Sequence, residues 1–322
     1  MGILLAVARK ILYSLLLLVA VIILNFLLIH IAPGDPVDTL VGDMGGATPE
    51  LVAKIRAEYG LDKTLLEQLT SYIGKVAKGN LGNSYTFNEP VTQIILHRLP
   101  ATVLLVVSAL VIALFFGTLL GVMAAQKPDS MFSHFVTVFS LTSFSAPVFW
   151  TGIMLLILFS YYIPIFPSFG MSTAGLEAPL TVRVFDILKH LFLPAVTLAS
   201  IYLAGYSRIA RASMMDVLGS DYIRTARAKG LSTHIVVYKH GLKNALLPVI
   251  TLAGLQLSQI VAGAVVVETV FSWPGIGSIA FKSILRRDYP LLLGILFFST
   301  VIVVIANLIT DLTYRILDPR IK

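Results

Sequence analysis

The groups able to do chemistry are few in this chain. Its 322 residues include 24 Lys and Arg, 17 Asp and Glu, six His and no Cys. Without cysteine there is no disulfide framework, no thiol chemistry and no Cys-based metal site. The histidines (His30, His97, His134, His190, His234, His240) share no ligand spacing, so no metal site is expected. GxxxxGK(S/T), HExxH and GxSxG are all absent, which excludes the corresponding triphosphate loop, zinc helix and nucleophile elbow. Only Asp311 stands well inside an apolar segment, whereas an intramembrane enzyme needs paired ionisable groups. No catalytic residue and no cofactor of this chain's own are therefore expected.

What remains is a basic loop, Ser220 to Pro248, between two strongly apolar segments. Ser220 and Asp221 read as a helix start, and Gly230 as a left-handed stop. The helix between them offers Tyr222 and Ile223 as apolar anchors and Ala226 and Ala228 as small surfaces for close approach. Arg224, Arg227 and Lys229 add charge, which acts mostly on encounter and specificity. Such a loop is a surface on which a partner can dock. The plainer alternative is a positive loop lying on anionic lipid.

The elements that carry this loop follow from composition. The chain is 57% hydrophobic and 13% charged, too apolar for a water-soluble domain. The net charge of +7 sits in loops beside apolar spans, which points to a membrane rather than to nucleic acid. Six segments reach the roughly 20 apolar residues that a crossing helix needs. They are Ile11–Ile31, Thr102–Ala125, Phe135–Ser160, Leu191–Ala210, Leu246–Val267 and Leu291–Leu312. The first is too long for a signal-peptide core and is read as a retained span. Pro147 should kink the third. The fold class is an all-α, six-span membrane protein.

Arg9 and Lys10, the 211–247 loop, and the tail with Arg315, Arg320 and Lys322 place both termini in the cytoplasm; Lys282, Arg286 and Arg287 are an exception on the other side. The chain thus divides into residues 1–32, an extracytoplasmic loop 33–99 and a five-span core 100–322. In the loop, Thr48-Pro49-Glu50 opens one expected helix that Gly60 closes, and a second is expected from Asp62 to Lys78 with Gly79 after it.

Polar residues inside spans face the bundle interior or a water cavity. Gln256 and Gln259 share a face of the fifth span, and Ser143 precedes Pro147 in the third; these are the expected lining of a solute path. The alternative for them is helix–helix hydrogen bonding. Glu268, Trp273, Pro274 and Gly275 begin a segment read as a tight turn and short helix, acting as a gate or docking loop at the mouth, or as a simple interfacial re-entry anchored by Trp273. Gly117 and Gly121 form a GxxxG expected to serve packing.

Several pieces in order carry a family resemblance: Ala32-Pro33-Gly34-Asp35-Pro36, Tyr59-Gly60-Leu61-Asp62-Lys63, Gly79-Asn80-Leu81-Gly82-Asn83-Ser84 and Arg98-Leu99-Pro100-Ala101-Thr102 in the first third. Asp221 to Gly230, Asn244-Ala245-Leu246-Leu247-Pro248, Glu268 to Gly277, Arg287-Asp288-Tyr289-Pro290 and Asp318-Pro319-Arg320 follow. Together they resemble, nearly end to end, the membrane subunit of binding-protein-dependent ABC importers in the dipeptide, oligopeptide and nickel branch.

The resemblance implies a type I importer permease fold in a bacterial cytoplasmic (inner) membrane. It implies a second homologous permease subunit, two ATP-binding subunits that carry ATP and Mg, and an extracytoplasmic solute-binding protein. It also implies that Asp221, Tyr222, Ile223, Arg224, Thr225, Ala226, Arg227 and Gly230 form the coupling helix on which an ATPase docks. The chain departs from the general pattern in having Arg224 where a glutamate leads, and in placing Pro248 a full 18 residues after Gly230. The solute implied is a short peptide, with a nickel or other metal chelate or an opine-like solute as alternatives, and an ion-coupled carrier as the rival mechanism.

Overall fold

A computed structural model of the chain describes residues 2–31, 48, 50 and 62–317. They are helical almost throughout, with a single isolated bridge between Asn83 and Pro90 and no sheet among them. The chain divides into two compact units: Met1–Leu99 with Ile279–Val304, and Pro100–Ser278 with Ile305–Lys322.

In the first unit, α1 (Gly2–Ile31) is apolar along most of its length and buries Asn25, whose amide donates to the carbonyl of Leu293 at 3.3 Å. The expected helix opening at Thr48 lies almost wholly outside the described residues. The second expected helix is α2 (Leu65–Ala77). It starts in a capping box: the Glu67 N–H donates to Thr64 Oγ1, and the Thr64 N–H donates back to Glu67 Oε2. It ends before Gly79, whose φ of +75° is the left-handed conformation glycine adopts most readily. The face carrying Tyr72 and Val76 turns inward, and the Tyr72 ring meets Phe26 of α1 with centroids 6.3 Å apart. Leu65 is left exposed, so the buried stripe is narrower than the spacing suggests.

The second unit is built around α6 (Leu180–Leu218). It receives α3 (Val91–Gln126, from Pro100 onward), α4 (Met131–Ser145), α5 (Val148–Leu156) and α8 (Leu242–Val270). Leu105, Ala109, Leu198, Tyr206 and Val249 are fully buried where these helices meet. In lipid the apolar effect does not drive helices together, so close van der Waals packing must. The GxxxG supplies it: a Cβ on Gly121 would overlap the Ser207 carbonyl oxygen, and one on Gly117 would lie 2.8 Å from that of Leu203. After α6 come α7 (Asp221–Ala228), a π-helical turn at Ile235–Gly241 that runs into α8, then α9 (Ile276–Leu285) and α10 (Tyr289–Leu317).

One expectation about the spans needs correction. Phe135–Ser160 is not a kinked helix but two helices, α4 and α5, whose axes turn by 106°. Proline disfavours the helical conformation in the residue before it. Ala146 accordingly sits at φ −74°, ψ 131°, and α4 stops at Ser145. The other helices overrun the apolar windows: α3 begins at Val91 and α6 runs to Leu218, so the 211–247 loop is in part helix. Val91–Gln126, Leu180–Leu218 and Tyr289–Leu308 are each long and apolar enough to cross a membrane, with Leu12–Leu28 a shorter apolar stretch. With the bent α4–α5 pair and α8, this set is compatible with six spans.

Candidate docking helix and candidate solute path

α7 is eight residues long, and its ends explain why so short a helix holds. Its start is not the expected side-chain cap: the Ser220 hydroxyl donates backwards to the Val217 carbonyl at 2.6 Å. Asp221 in the first turn and Arg227 in the last suit the helix dipole. At the far end the Gly230 N–H donates to Arg227 O and the Leu231 N–H to Ala226 O, with Gly230 at φ +78°. That pair of bonds is a Schellman motif.

The helix has two distinct faces. Ile223 is fully buried and Ala226 nearly so, packed on Val236 with Val217 and Leu218 around them. These two residues therefore grip the chain's own body rather than offering an anchor and a small surface to a partner. The remaining face is open: Asp221, Tyr222, Arg224, Thr225, Arg227, Ala228 and Lys229 are exposed. Arg224 pairs with Asp221 at 3.3 Å, and the Tyr222 hydroxyl accepts from Asn244 Nδ2 at 2.9 Å. Val236 and Val237 of the π-helical turn are also buried, Val237 in a small core with Val122 and Met214, so α7 is tied to the elements on either side of it.

At the far end of α8, Glu268 has no exposed surface. Its carboxylate accepts from Thr102 Oγ1 at 2.7 Å and from the Ser278 N–H at 3.0 Å. Thr102 Oγ1 in turn accepts from the Ile276 N–H at 2.8 Å. Trp273 is equally buried; its indole N–H donates to the Ala101 carbonyl at 2.8 Å. A Cβ on Gly275 would overlap the Glu268 carboxylate, and one on Gly277 would lie 2.6 Å from Cα of Val265. Burying a carboxylate is costly unless it is fully hydrogen-bonded, and this turn is organised around satisfying one. Pro274 is half-buried beside it.

The first unit repeats the device. Asp288, also buried, accepts from the Ser84 hydroxyl, from the N–H groups of Tyr85 and Thr86, and from that of Leu291. Sequence reasoning gave Glu268 a site role, and quoted Thr102, Ser84 and Asp288 within the motifs that carry the family resemblance without giving them one. The readable signal was an acid beside apolar runs, which must find donors elsewhere.

The path candidates are not gathered in one place. Gln256 lies at the meeting of α8 and α6, its Nε2 near Gly205, with Oε1 buried and unpaired. Ser143 is half-buried on α4, which packs on α6 rather than on α8. The Gln259 side chain lies outside the described residues.

Apolar helices long enough to cross a membrane, a short helix with one buried and one exposed charged face, and internally bonded turns elsewhere make this a membrane protein. This chain belongs to the binding-protein-dependent transport system inner membrane components: that family's model matches residues 117–322, and its N-terminal counterpart matches residues 3–106. It is 42% identical over 317 residues, 94% of each chain, to the di/tripeptide transport system permease protein of Pseudomonas aeruginosa. Identity to the oligopeptide transport system permease protein of Bacillus subtilis is 39% over 98% of each chain. The dipeptide transport system permease protein of Escherichia coli K12 is 39% identical over 94% of each chain. The chain is thus a multi-pass component of an inner membrane.

Proposed function

We propose that this chain forms one half of the pore of an ATP-driven peptide importer. A second homologous permease completes the pore, two ATP-binding subunits holding ATP and Mg dock on α7, and an extracytoplasmic binding protein delivers short peptides. Both termini then lie in the cytoplasm. The observation that carries this reading is the two-faced α7: a helix fixed to its own chain through Ile223 and Ala226 presents a bare charged face to a partner. The names of the relatives support peptide as the solute. In this reading, closure of the ATPases moves α7 and, through α6 and α8, switches the cavity between its inward and outward openings. Gln256, Gln259 and Ser143 are proposed to line the path, and the 268–277 turn to meet the binding protein or gate the mouth.

The test is ATPase activity of the reconstituted five-subunit complex against a panel of di- and oligopeptides, nickel chelates and an opine. Hydrolysis stimulated by peptide in the native complex, and abolished by Ala228→Trp on the open face of α7, is the expected result. Stimulation by a chelate or opine alone would replace the substrate class. Uptake driven by a proton gradient without ATP would replace the mechanism.

A further inference from the structure

A groove of about 400 Å³ runs between α4 and α6 at the end of α6 that leads to α7. Ligand pockets begin at roughly that size. Its wall on α4 is apolar, with Leu141 and Phe144, and both are more than half exposed along the groove. Its floor is polar. Ser140 is 8% exposed, yet its hydroxyl has no hydrogen-bond partner. Arg211 uses one terminal nitrogen on the Pro128 carbonyl at 3.3 Å and leaves its buried Nε unpaired. Arg208 lines the same groove and is exposed. An arginine Nε–H can only donate, and the serine hydroxyl in the same groove can donate too. Unmet donors together with two guanidinium groups suit an oxyanion.

We infer that this groove binds the phosphodiester of a membrane phospholipid, with Arg208, Arg211 and Ser140 on the phosphate and an acyl chain laid along Leu141 and Phe144. Depth favours lipid over a soluble anion. The apolar run of α6 ends near Ala210, so the two arginines straddle the level at which hydrocarbon gives way to headgroups. The apolar wall continues from there toward the bend at Ala146, as a chain running into the bilayer does. Asp216 lines the groove roughly 7.5 Å farther along α6, five residues at about 1.5 Å each. A carboxylate there attracts an ammonium, which an ethanolamine headgroup carries and a neutral glycerol headgroup lacks. The lipid selected is therefore of the ethanolamine type rather than the glycerol type.

The experiment is native mass spectrometry of the full chain purified in mild detergent. Phosphatidylethanolamine and phosphatidylglycerol are added in turn, then glycerophosphoethanolamine, inorganic phosphate and the dipeptide Ala-Ala as competitors. One retained phosphatidylethanolamine is expected. The Arg208→Ala/Arg211→Ala double variant should bind it roughly tenfold or more weakly, as the loss of charge-assisted bonds implies. Arg211→Lys, which keeps the charge but lacks Nε, should fall between the two. Asp216→Asn should narrow the preference over phosphatidylglycerol. The chainless competitors should not displace the lipid.

Unchanged retention in the double variant overturns the inference. Displacement by Ala-Ala does so as well, and would make the groove part of the solute path. So would loss of the lipid when the second permease assembles, which would make it a subunit interface. If the double variant does not fold, Leu141→Trp fills the groove without touching a charge, and retention of the lipid by that variant is equally decisive against it.

Discussion

α7 and the 268–278 turn stand at opposite ends of α8 and are built on opposite plans. α7 buries two side chains and leaves its charged groups in solvent, with one exposed ion pair between Asp221 and Arg224. The turn buries Glu268, Phe271, Trp273 and Ser278, and gives the carboxylate and the indole their partners from within the chain. As the docking surface proposed above, α7 leaves its polar groups to be met by a partner. A turn that must keep its shape in or near a membrane has to satisfy its own, because an unpaired polar group there costs several kcal/mol. Substitutions at the turn should thus act on folding, and substitutions on the open face of α7 on coupling.

The largest effect is expected from Glu268→Ala, which strands the hydroxyl of Thr102 and the Ser278 N–H in a closed site. Each stranded donor costs about 1–3 kcal/mol, so the thermal transition of the purified chain should fall steeply and its yield with it. An unchanged transition would mean that the carboxylate is not the centre of the turn. Trp273→Ala should come next. Removing a fully buried tryptophan leaves a cavity and loses the indole bond to the Ala101 carbonyl, and such truncations cost about 3–5 kcal/mol. Reduced transport by this variant is then a folding effect first. Transport lost at unchanged thermal stability would instead speak for a gating role.

Arg224→Ala should barely move stability, since an exposed ion pair is worth about 0–1 kcal/mol, yet it should lower peptide-stimulated ATPase activity in the assembled complex. A fall in stability with coupling intact would erase the contrast between the two ends. The smallest effect is expected at α2. Hydrogen bonds from the Thr64 side chain and backbone hold the Glu67 carboxyl below its usual range. A lowered folded-state value means that the cap contributes above the unfolded value of about 4.3 and is lost as pH falls through the folded one. Amide protection factors in α2, taken relative to intrinsic exchange at each pH, should fall on acidification in the native chain. In Thr64→Ala they should already be lower at neutral pH and respond less to acid.

The helical class and the position of α7 were legible because apolar run length, Asp221 and Gly230 are local signals. The GxxxG was legible for the same reason, and Gly117 and Gly121 do bring α3 against α6. The capping box Thr64–Glu67 was equally local and was overlooked. Which way α7 faces was not legible: Ile223 and Ala226 lie three apart and could as well have faced outward, and only Val236, beyond the Schellman turn, shows otherwise. The hydrogen-bonded burial of Glu268 and Asp288 was hidden for a different reason. Their donors come from far along the chain, 166 residues for Thr102 and Glu268 and 204 for Ser84 and Asp288, and no periodicity reports such pairings. The 106° turn at Ala146 was half legible, since Pro147 announces a break but not its angle.

The length of α6 has a mechanical consequence. Its 39 residues span about 58 Å at 1.5 Å each, nearly twice the roughly 30 Å of hydrocarbon it crosses. A rod of that length that pivots at one end through about 10° sweeps its other end through about 10 Å. The rod has one soft joint, Pro194, buried near its middle, where the backbone ladder lacks a donor. In the mechanism proposed above, the stroke delivered across the membrane would be set by how stiff that joint is, with leverage written into this helix by its length and by the place of a single proline.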